Sequence, residues 1–384
     1  MFSNYLKPVS DAALAHLVLH SELSLGHTLK IHTKDKGVPT IQGEEIVILG
    51  VNEDRNALNN LGTGQNLDNI RKEFYQLFPG NWHKKIVDFG NIDQGNSIED
   101  TYFALKEVAT FLLKKGVILV ILGGGNDLAY ANYRAYDSLE QVVNLVSVDS
   151  KFDLGRLDEA LSSETYLHKI IMEKPNNLFN YSNIGYQTFF NSQDEINLIN
   201  KLYFEAYRLG EVSQNIAETE PVLRDADILS LDMGAIKYSE AKANNNASPN
   251  GLTGVEVCTI ARYAGLSDKI SSFGIYEYNA KLDTDLQSAK LIAQLVWYFI
   301  EGVNFRIKDY PFENKDKYLK YIVPLEEQNI NFYKSHKTDR WWMEVTTHNN
   351  LNKTTLIPCS YKDYLEACDQ IIPNRWLSAF KKLN

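Results

Sequence analysis

The chain has 384 residues, 44% of them hydrophobic, enough for one large domain with an appendage or for two domains, and too apolar for a disordered chain. Its net charge of −10 argues against nonspecific nucleic-acid binding and against docking on an anionic membrane. No run approaches the ~18 consecutive apolar residues that a membrane helix needs.

The first residues, Met1 to Pro8, lack the basic, apolar and small-residue order of a signal peptide. Three cysteines, Cys258, Cys359 and Cys368, show no metal or redox spacing, and an odd count suits a reducing compartment, so a cytoplasmic location is expected. Residues 1–44 read as an N-terminal segment packing on the core. It includes a possible helix on which His16 and His20, four apart, would share a face; such a pair is more often packed or solvated than metal-bound.

From residue 45 to 304, short β-branched runs alternate with helical patterns. Ile46–Gly50, Ile86–Phe89, Val117–Leu122, Val142–Val148 and Asp227–Leu231 are apolar on both faces, as strands of a covered parallel sheet are, and Ile270–Tyr278 is a more polar version. Ile98–Lys115 and Thr284–Phe299 carry apolar residues every third or fourth position. Strand then helix, repeated, predicts a three-layer α/β/α fold with a mostly parallel sheet. Ligands in such folds sit beyond the carboxyl ends of the strands. Residues 305–384 form a C-terminal extension rich in Lys, Asn and aromatic residues. Its tract Arg340-Trp341-Trp342, with Trp376, has the composition of an interface hot spot, but packing of the extension onto the core is the slightly better reading, and the two are compatible.

Three segments following predicted strands carry the chemistry: Gly123-Gly124-Gly125-Asn126-Asp127, Asp149-Ser150-Lys151-Phe152-Asp153 and Ser230-Leu231-Asp232-Met233-Gly234. The glycines match neither GxGxxG nor a P-loop, so for a nucleotide site the better reading is a tight turn. Other segments stand at matching intervals: Gly50-Val51-Asn52-Glu53-Asp54, Asn60-Leu61-Gly62 with Asn69-Ile70-Arg71, Asp88-Phe89-Gly90-Asn91-Ile92, Ser162-Ser163-Glu164-Thr165, Pro249-Asn250-Gly251-Leu252-Thr253 and Glu277-Tyr278-Asn279. In this order and spacing the chain resembles the ureohydrolase superfamily of arginase, agmatinase and, most closely, formimidoylglutamase, over about residues 45 to 300.

The resemblance implies a site in which two Mn²⁺ ions bridge a hydroxide that attacks a guanidinium or amidine carbon. The six ligand positions of that pattern fall here on Asn126, Asp149, Lys151, Asp153, Asp232 and Gly234. Only the three aspartates match. An Asn carbonyl still offers oxygen to a hard ion, whereas an ammonium has no lone pair and glycine no side chain. The resemblance also makes Glu277 the residue that holds a cationic substrate end. Ser162-Ser163-Glu164-Thr165 stands near the Ser-Ser-Gly-Thr substrate segment of formimidoylglutamases.

The expectation is therefore a non-catalytic relative acting as a structural, partner-binding or ligand-sensing subunit. The alternative is a hydrolase of a C–N bond in a linear amidine that uses one metal or none. No cofactor is expected, or at most one divalent ion (Mn, Mg or Ca) on Asn126, Asp149, Asp153 and Asp232, in a cleft that also holds Asp127, Lys151 and Glu277. Lys151 is expected to stand in for a metal by salt-bridging at least two of the aspartates. Expected partners are a small cationic ligand and, through Arg340, Trp341, Trp342 and Trp376, another copy of the chain or a protein.

Overall fold

The computed structural model describes residues 2–42, 45–156, 158–311, 314–325, 328–346 and 354–383. Residues 43 and 44, next to the expected boundary between the N-terminal segment and the core, lie outside this set. Two short ribbons open the chain, β1 (Leu6–Lys7) and β2 (Lys30–Ile31). Eight strands then build the sheet: β3 (Glu45–Asn52), β4 (Lys85–Asp93), β5 (Ile118–Leu122), β6 (Val143–Val148), β7 (Leu178–Tyr186), β8 (Glu205–Arg208), β9 (Ile228–Asp232) and β10 (Ser272–Tyr276). Their order is β1-β4-β3-β5-β10-β9-β6-β7-β8, with β2 also on β4. Every pairing is parallel except β1 with β4.

Alternation along each strand feeds two separate cores, one on each face. Ile46, Ile48, Val120, Leu122, Leu229 and Leu231 pack on one side with the helices Gly254–Leu266 and Gln287–Asn304. Val47, Leu49, Leu119, Ile121 and Ile228 pack on the other with Ile98–Lys114 and Leu128–Arg134. This is the three-layer arrangement, and it explains why the strands read as unbroken apolar runs. The helix Ile98–Lys114 starts at a capping box in which Ser97 and Asp100 bond each other's backbone N–H. Two of the family-like segments serve this framework. Arg71, fully buried, donates to both carboxylate oxygens of Asp88 (2.9 and 3.2 Å), to the Asn91 Oδ1 (2.8 Å) and to the Gly90 carbonyl (2.8 Å).

The N-terminal histidines do not share a helical face: the helix ends at Ala15 and His16–Leu19 is a 3₁₀ turn. Beyond Asn304 the chain forms a second, antiparallel sheet, β11 (Leu319–Pro324), β12 (Asn329–Lys334), β13 (Trp341–Thr346) and β14 (Thr354–Cys359), in sequential order. The helices Tyr361–Cys368 and Asn374–Leu383 follow it.

The tryptophans expected at a partner interface are buried within the chain. Trp341 and Trp376 belong to the extension's own core, and the Trp376 indole N–H donates to the Glu344 carbonyl (2.8 Å). Trp342 is fully buried on the other face of β13, under Tyr310 and Tyr318. The Arg224 guanidinium lies 4.6 Å from its ring centre and donates to the Trp341 and Cys359 carbonyls (3.1 and 3.0 Å). Arg340 pairs with Glu220 of the α/β unit at 3.0 Å. Alternation along β13 sends successive indoles to opposite faces of the sheet, so both are consumed in packing. Trp342→Ala is expected to lower the unfolding free energy by about 3–5 kcal/mol in a urea titration, the usual cost of truncating a buried tryptophan. A loss below about 1 kcal/mol would mean that the ring does not anchor the extension.

Candidate functional site

Four neighbouring strands in the middle of the sheet, β5, β10, β9 and β6, deliver their following residues to one edge. The register pairs Val148 with Leu231 and Asp232 with Tyr276, so Asp149, Asp232 and Glu277 leave the sheet within a residue of one another. After β5 the backbone turns through Gly123 and Gly124 at φ 83° and 80°, where a Cβ would stand 2.3 Å from Leu67 Cδ2 and 2.2 Å from Leu128 Cδ1. Only glycine fits both counts, and the turn places Asn126 over the strand ends. Asp153 and Glu277 themselves take left-handed backbone conformations (φ 53° and 66°), a strain on the order of 1 kcal/mol each that the surrounding contacts must hold.

Asn126, fully buried, is the hub. Its amide nitrogen donates to Asp153 (3.0 Å) and Asp149 (3.4 Å), and its amide oxygen accepts from the Ser230 hydroxyl (3.1 Å). Its backbone N–H donates to one oxygen of Glu277 (2.9 Å), and the Asn60 amide donates to the other (2.7 Å). Asp232 accepts from the Gly234 N–H (2.5 Å) and from Asn244 (3.4 Å). Asp127 faces away from this group: one oxygen accepts from Tyr102 (2.5 Å) and the other is buried without a partner. Asp149, Asp153, Asp232 and Glu277 line a cavity of about 190 Å³, with Lys151, Glu164, Phe190 and Asn246 among the remaining walls.

The carboxyl groups titrate abnormally for one dominant reason. Burial pushes Glu277 up to about 8, with the negative charges of Asp127 and Asp149 adding to it against the hydrogen bonds from Asn60 and Asn126. Burial, then the charge of Asp149, raises Asp153 and Asp232 well above the usual carboxylate range. Burial likewise raises Asp149, against a hydrogen bond with Asp153 and the backbone N–H of Lys151. Burial lifts Asp127 to about 7.

Lys151 does not do what the sequence led us to expect. Its ammonium pairs with Glu164 at 2.6 Å, and among the described residues no aspartate lies within salt-bridge distance of it. Both side chains of the pair are about one-third exposed (31% and 34%). Only the Lys151 backbone N–H reaches Asp149, at 2.9 Å. An ammonium on a four-carbon stem gains more at a half-solvated carboxylate than in a dry cavity. The carboxyl groups are met instead by amide N–H donors, from Asn126 and Asn60.

Sequence reasoning missed Glu164, Asn60, Tyr102, Ser230 and Asn244 as site residues. Glu164 carried a usable signal, because it departs from the resembling pattern at the same time as Lys151 and the two departures pair with each other. Asn244 sits in the polar loop 237–249, where nothing in the sequence singles it out.

The comparisons bear on family and fold. The model of the arginase family matches residues 44–301, about two-thirds of the chain. The chain belongs to the arginase family. Among characterised relatives it is similar to formimidoylglutamase of Staphylococcus haemolyticus (strain JCSC1435), 28% identical over 266 residues, covering 66% of this chain and 85% of that protein. Formimidoylglutamase of Legionella pneumophila (strain Lens) is 28% identical over 282 residues, covering 70% and 86%. The fold is similar to the crystal structure of Trypanosoma cruzi formiminoglutamase with Mn²⁺₂ (TM-score 0.65, 19% identity, 74% of this chain and 99% of that one). It is also similar to that of formimidoylglutamase from Bacillus subtilis (TM-score 0.63, 19% identity, 73% and 95%).

The residues present do not fit a pair of manganese ions. Two of the six positions hold an ammonium committed to Glu164 and a glycine, and a third presents an amide N–H to the aspartates. Among the described residues no three His, Cys, Asp or Glu side chains are arranged to hold a metal ion. Oxygen ligation by Asn126 would require its amide to flip, with the Ser230 hydroxyl then accepting from the nitrogen.

Lys151→Ala is expected to change the unfolding free energy by less than about 1 kcal/mol, as for other solvent-reached ion pairs. A loss of several kcal/mol in chemical denaturation would restore the ammonium to the aspartates. For Asp127, the folded-state pKa is raised, so its contribution is fully present below pH ~4 and is lost as pH rises towards about 7. Asp127→Asn is therefore expected to gain stability relative to the parent between pH 5 and pH 8, by on the order of 2 kcal/mol. Parallel stability curves for the two proteins over that range would refute the assignment.

Proposed function

We infer that this arginase-family protein does not perform bridging-hydroxide hydrolysis, and that its cleft serves as a binding site for a small cationic ligand in a sensing or structural subunit. The observation that carries this reading is the fate of the second metal's positions, Lys151 and Gly234. One is an ion-paired ammonium and the other has no side chain. Bridging-hydroxide chemistry needs both ions, because it is the pair that lowers the pKa of the attacking water. What remains is a cavity of about 190 Å³ walled by Asp149, Asp153, Asp232, Glu164 and Glu277. Its one wall cation, Lys151, is already paired, so a cation-headed ligand suits these walls better than an anionic one.

The comparisons by themselves favour the second reading, a hydrolase of a C–N bond in a linear amidine with an atypical mononuclear or metal-free site. The relatives matched over about 85% of their length are named formimidoylglutamases. The two readings part at the bench. Elemental analysis after incubation with excess Mn²⁺ is expected to show fewer than about two equivalents per chain, since one site lacks deprotonated donors. With formiminoglutamate, agmatine or arginine, turnover is expected to fall far below the ordinary enzyme median of ~10 s⁻¹. Turnover near that median would establish the hydrolase reading, and two tightly held ions would overturn both readings by restoring a dinuclear site. The triple change Asn126→His, Lys151→His and Gly234→Asp is expected to recover metal binding before activity. A Cβ at 234 stands 3.0 Å from Asp232 Oδ1 and 3.3 Å from Asn244 Nδ2, so Asn244 must yield first.

A further inference from the structure

A second cavity, of about 670 Å³, lies where the α/β unit meets the appended sheet. Asn144, Asn180 and Glu205 reach it from the beginnings of β6, β7 and β8, so it stands at the edge of the parallel sheet opposite the aspartates. From the extension it takes Leu356 and Ile357 of β14 together with Lys382 and Leu383 of the last helix. Its size falls within the ~300–1,000 Å³ of small-molecule sites, which concentrate at junctions of this kind and combine apolar walls with a few polar groups. Val142, Phe179, Tyr310, Leu356, Ile357 and Leu383 supply the apolar part.

The charged groups on its walls are unequally served. Lys269 pairs with Asp225 and Asp227 at 3.4 Å each, and Arg375 with Glu205 at 3.2 Å. Asp268 accepts backbone N–H groups of Lys308 (3.2 Å) and Asp309 (3.1 Å), and Asp309 accepts from Tyr318 (2.7 Å) and Thr338. Two cations remain short of acceptors. Arg224, 3% exposed, shares Glu220 with Arg340, and its Nε and Nη1 are buried without any hydrogen-bond partner. Lys382 has no carboxylate within salt-bridge distance among the described residues; its ammonium donates to the amide oxygen of Asn180 and lies over the Phe179 and Phe204 rings at 5.9 and 5.2 Å. Burial lowers the Lys382 ammonium to about 8, the direction expected of a cation short of counter-charge. On the same wall, Asn144 Oδ1 is buried without a donor.

We propose that this junction cavity binds a small organic carboxylate with an apolar body, the carboxylate received by Lys382 and the body by the walls shared between the α/β unit and the extension. An apolar body without charge would leave Lys382 and Arg224 as they are. A strongly hydrated dianion would meet too much apolar wall. A monocarboxylate on an aromatic or aliphatic chain satisfies both, and it would bridge the two units, so the extension completes the site. Nothing in this reading depends on the aspartate cleft, and its failure leaves that assignment untouched.

Isothermal titration calorimetry of the full chain with 4-phenylbutyrate, against the neutral 4-phenylbutanamide, tests it. Saturable binding of one equivalent is expected, with the carboxylate preferred by about tenfold or more, the order of one charge-assisted contact. Lys382→Gln is expected to abolish that preference with the melting temperature of the free protein unchanged, and Lys382→Arg to retain it. Absence of saturable binding up to several millimolar, equal affinity for the acid and the amide, or an undiminished preference in Lys382→Gln would each overturn the proposal.

Discussion

A parallel sheet brings the ends of its strands together, and in this chain three adjacent strands, β10, β9 and β6, carry Asp149, Asp153, Asp232 and Glu277 into one largely buried space. Like charges at such separations repel strongly wherever the dielectric is low. Metal ions would remove the repulsion, but this chain has replaced the donors that a second ion needs. Asn126 therefore becomes the centre of the site. Its amide gives N–H bonds to two aspartates and its backbone gives one to Glu277, while burial raises the Asp153, Asp232 and Glu277 carboxyls above their ordinary range. The left-handed backbones of Asp153 and Glu277 are held in place by the same bonds.

Lys151 and Glu164 illustrate how two departures from a pattern can neutralise each other without entering the dry centre. A lysine placed among buried carboxylates must give up its hydration, and the Coulomb gain repays that only with excellent geometry. Pairing at the rim with a glutamate that is also one-third exposed costs far less. The rim pair adds no net charge and leaves the cavity's carboxyl groups without the Lys151 ammonium as a counter-charge.

Much of the architecture was legible because it follows from period and burial. Ile46–Gly50, Ile86–Phe89, Val117–Leu122, Val142–Val148, Asp227–Leu231 and Ile270–Tyr278 all fall on observed strands to within two residues at each end, apart from β4, which runs on to Asp93. The strands β7 and β8 gave no such signal. β7, LFNYSNIGY, mixes polar and aromatic residues, because its buried positions include Asn180, Ser182 and Asn183 bonding neighbouring groups. β8 lies at the sheet edge, where four partly exposed residues need no apolar run. At the site, motif spacing identified the aspartates, Asn126 and Glu277, which the fold does bring together. The rotamer of Lys151 and the reach of Asn60, Ser230 and Asn244 depend on tertiary geometry that no local pattern encodes.

The extension reverses the usual expectation for an aromatic-rich appendage. Its tryptophans close the extension's own core and clamp Arg224, a residue of the α/β unit, between a ring and two carbonyls. Buried guanidinium groups are tolerated when their hydrogen bonds are met, and Arg224 meets only part of its requirement internally. Residues of a docked segment tend to be either fully satisfied or removed, since an orphan buried charge weakens the joint it sits in. At this joint Arg224 is half-served and Lys382 has no carboxylate within salt-bridge distance among the described residues, so a carboxylate in the adjoining cavity would supply what the two halves do not.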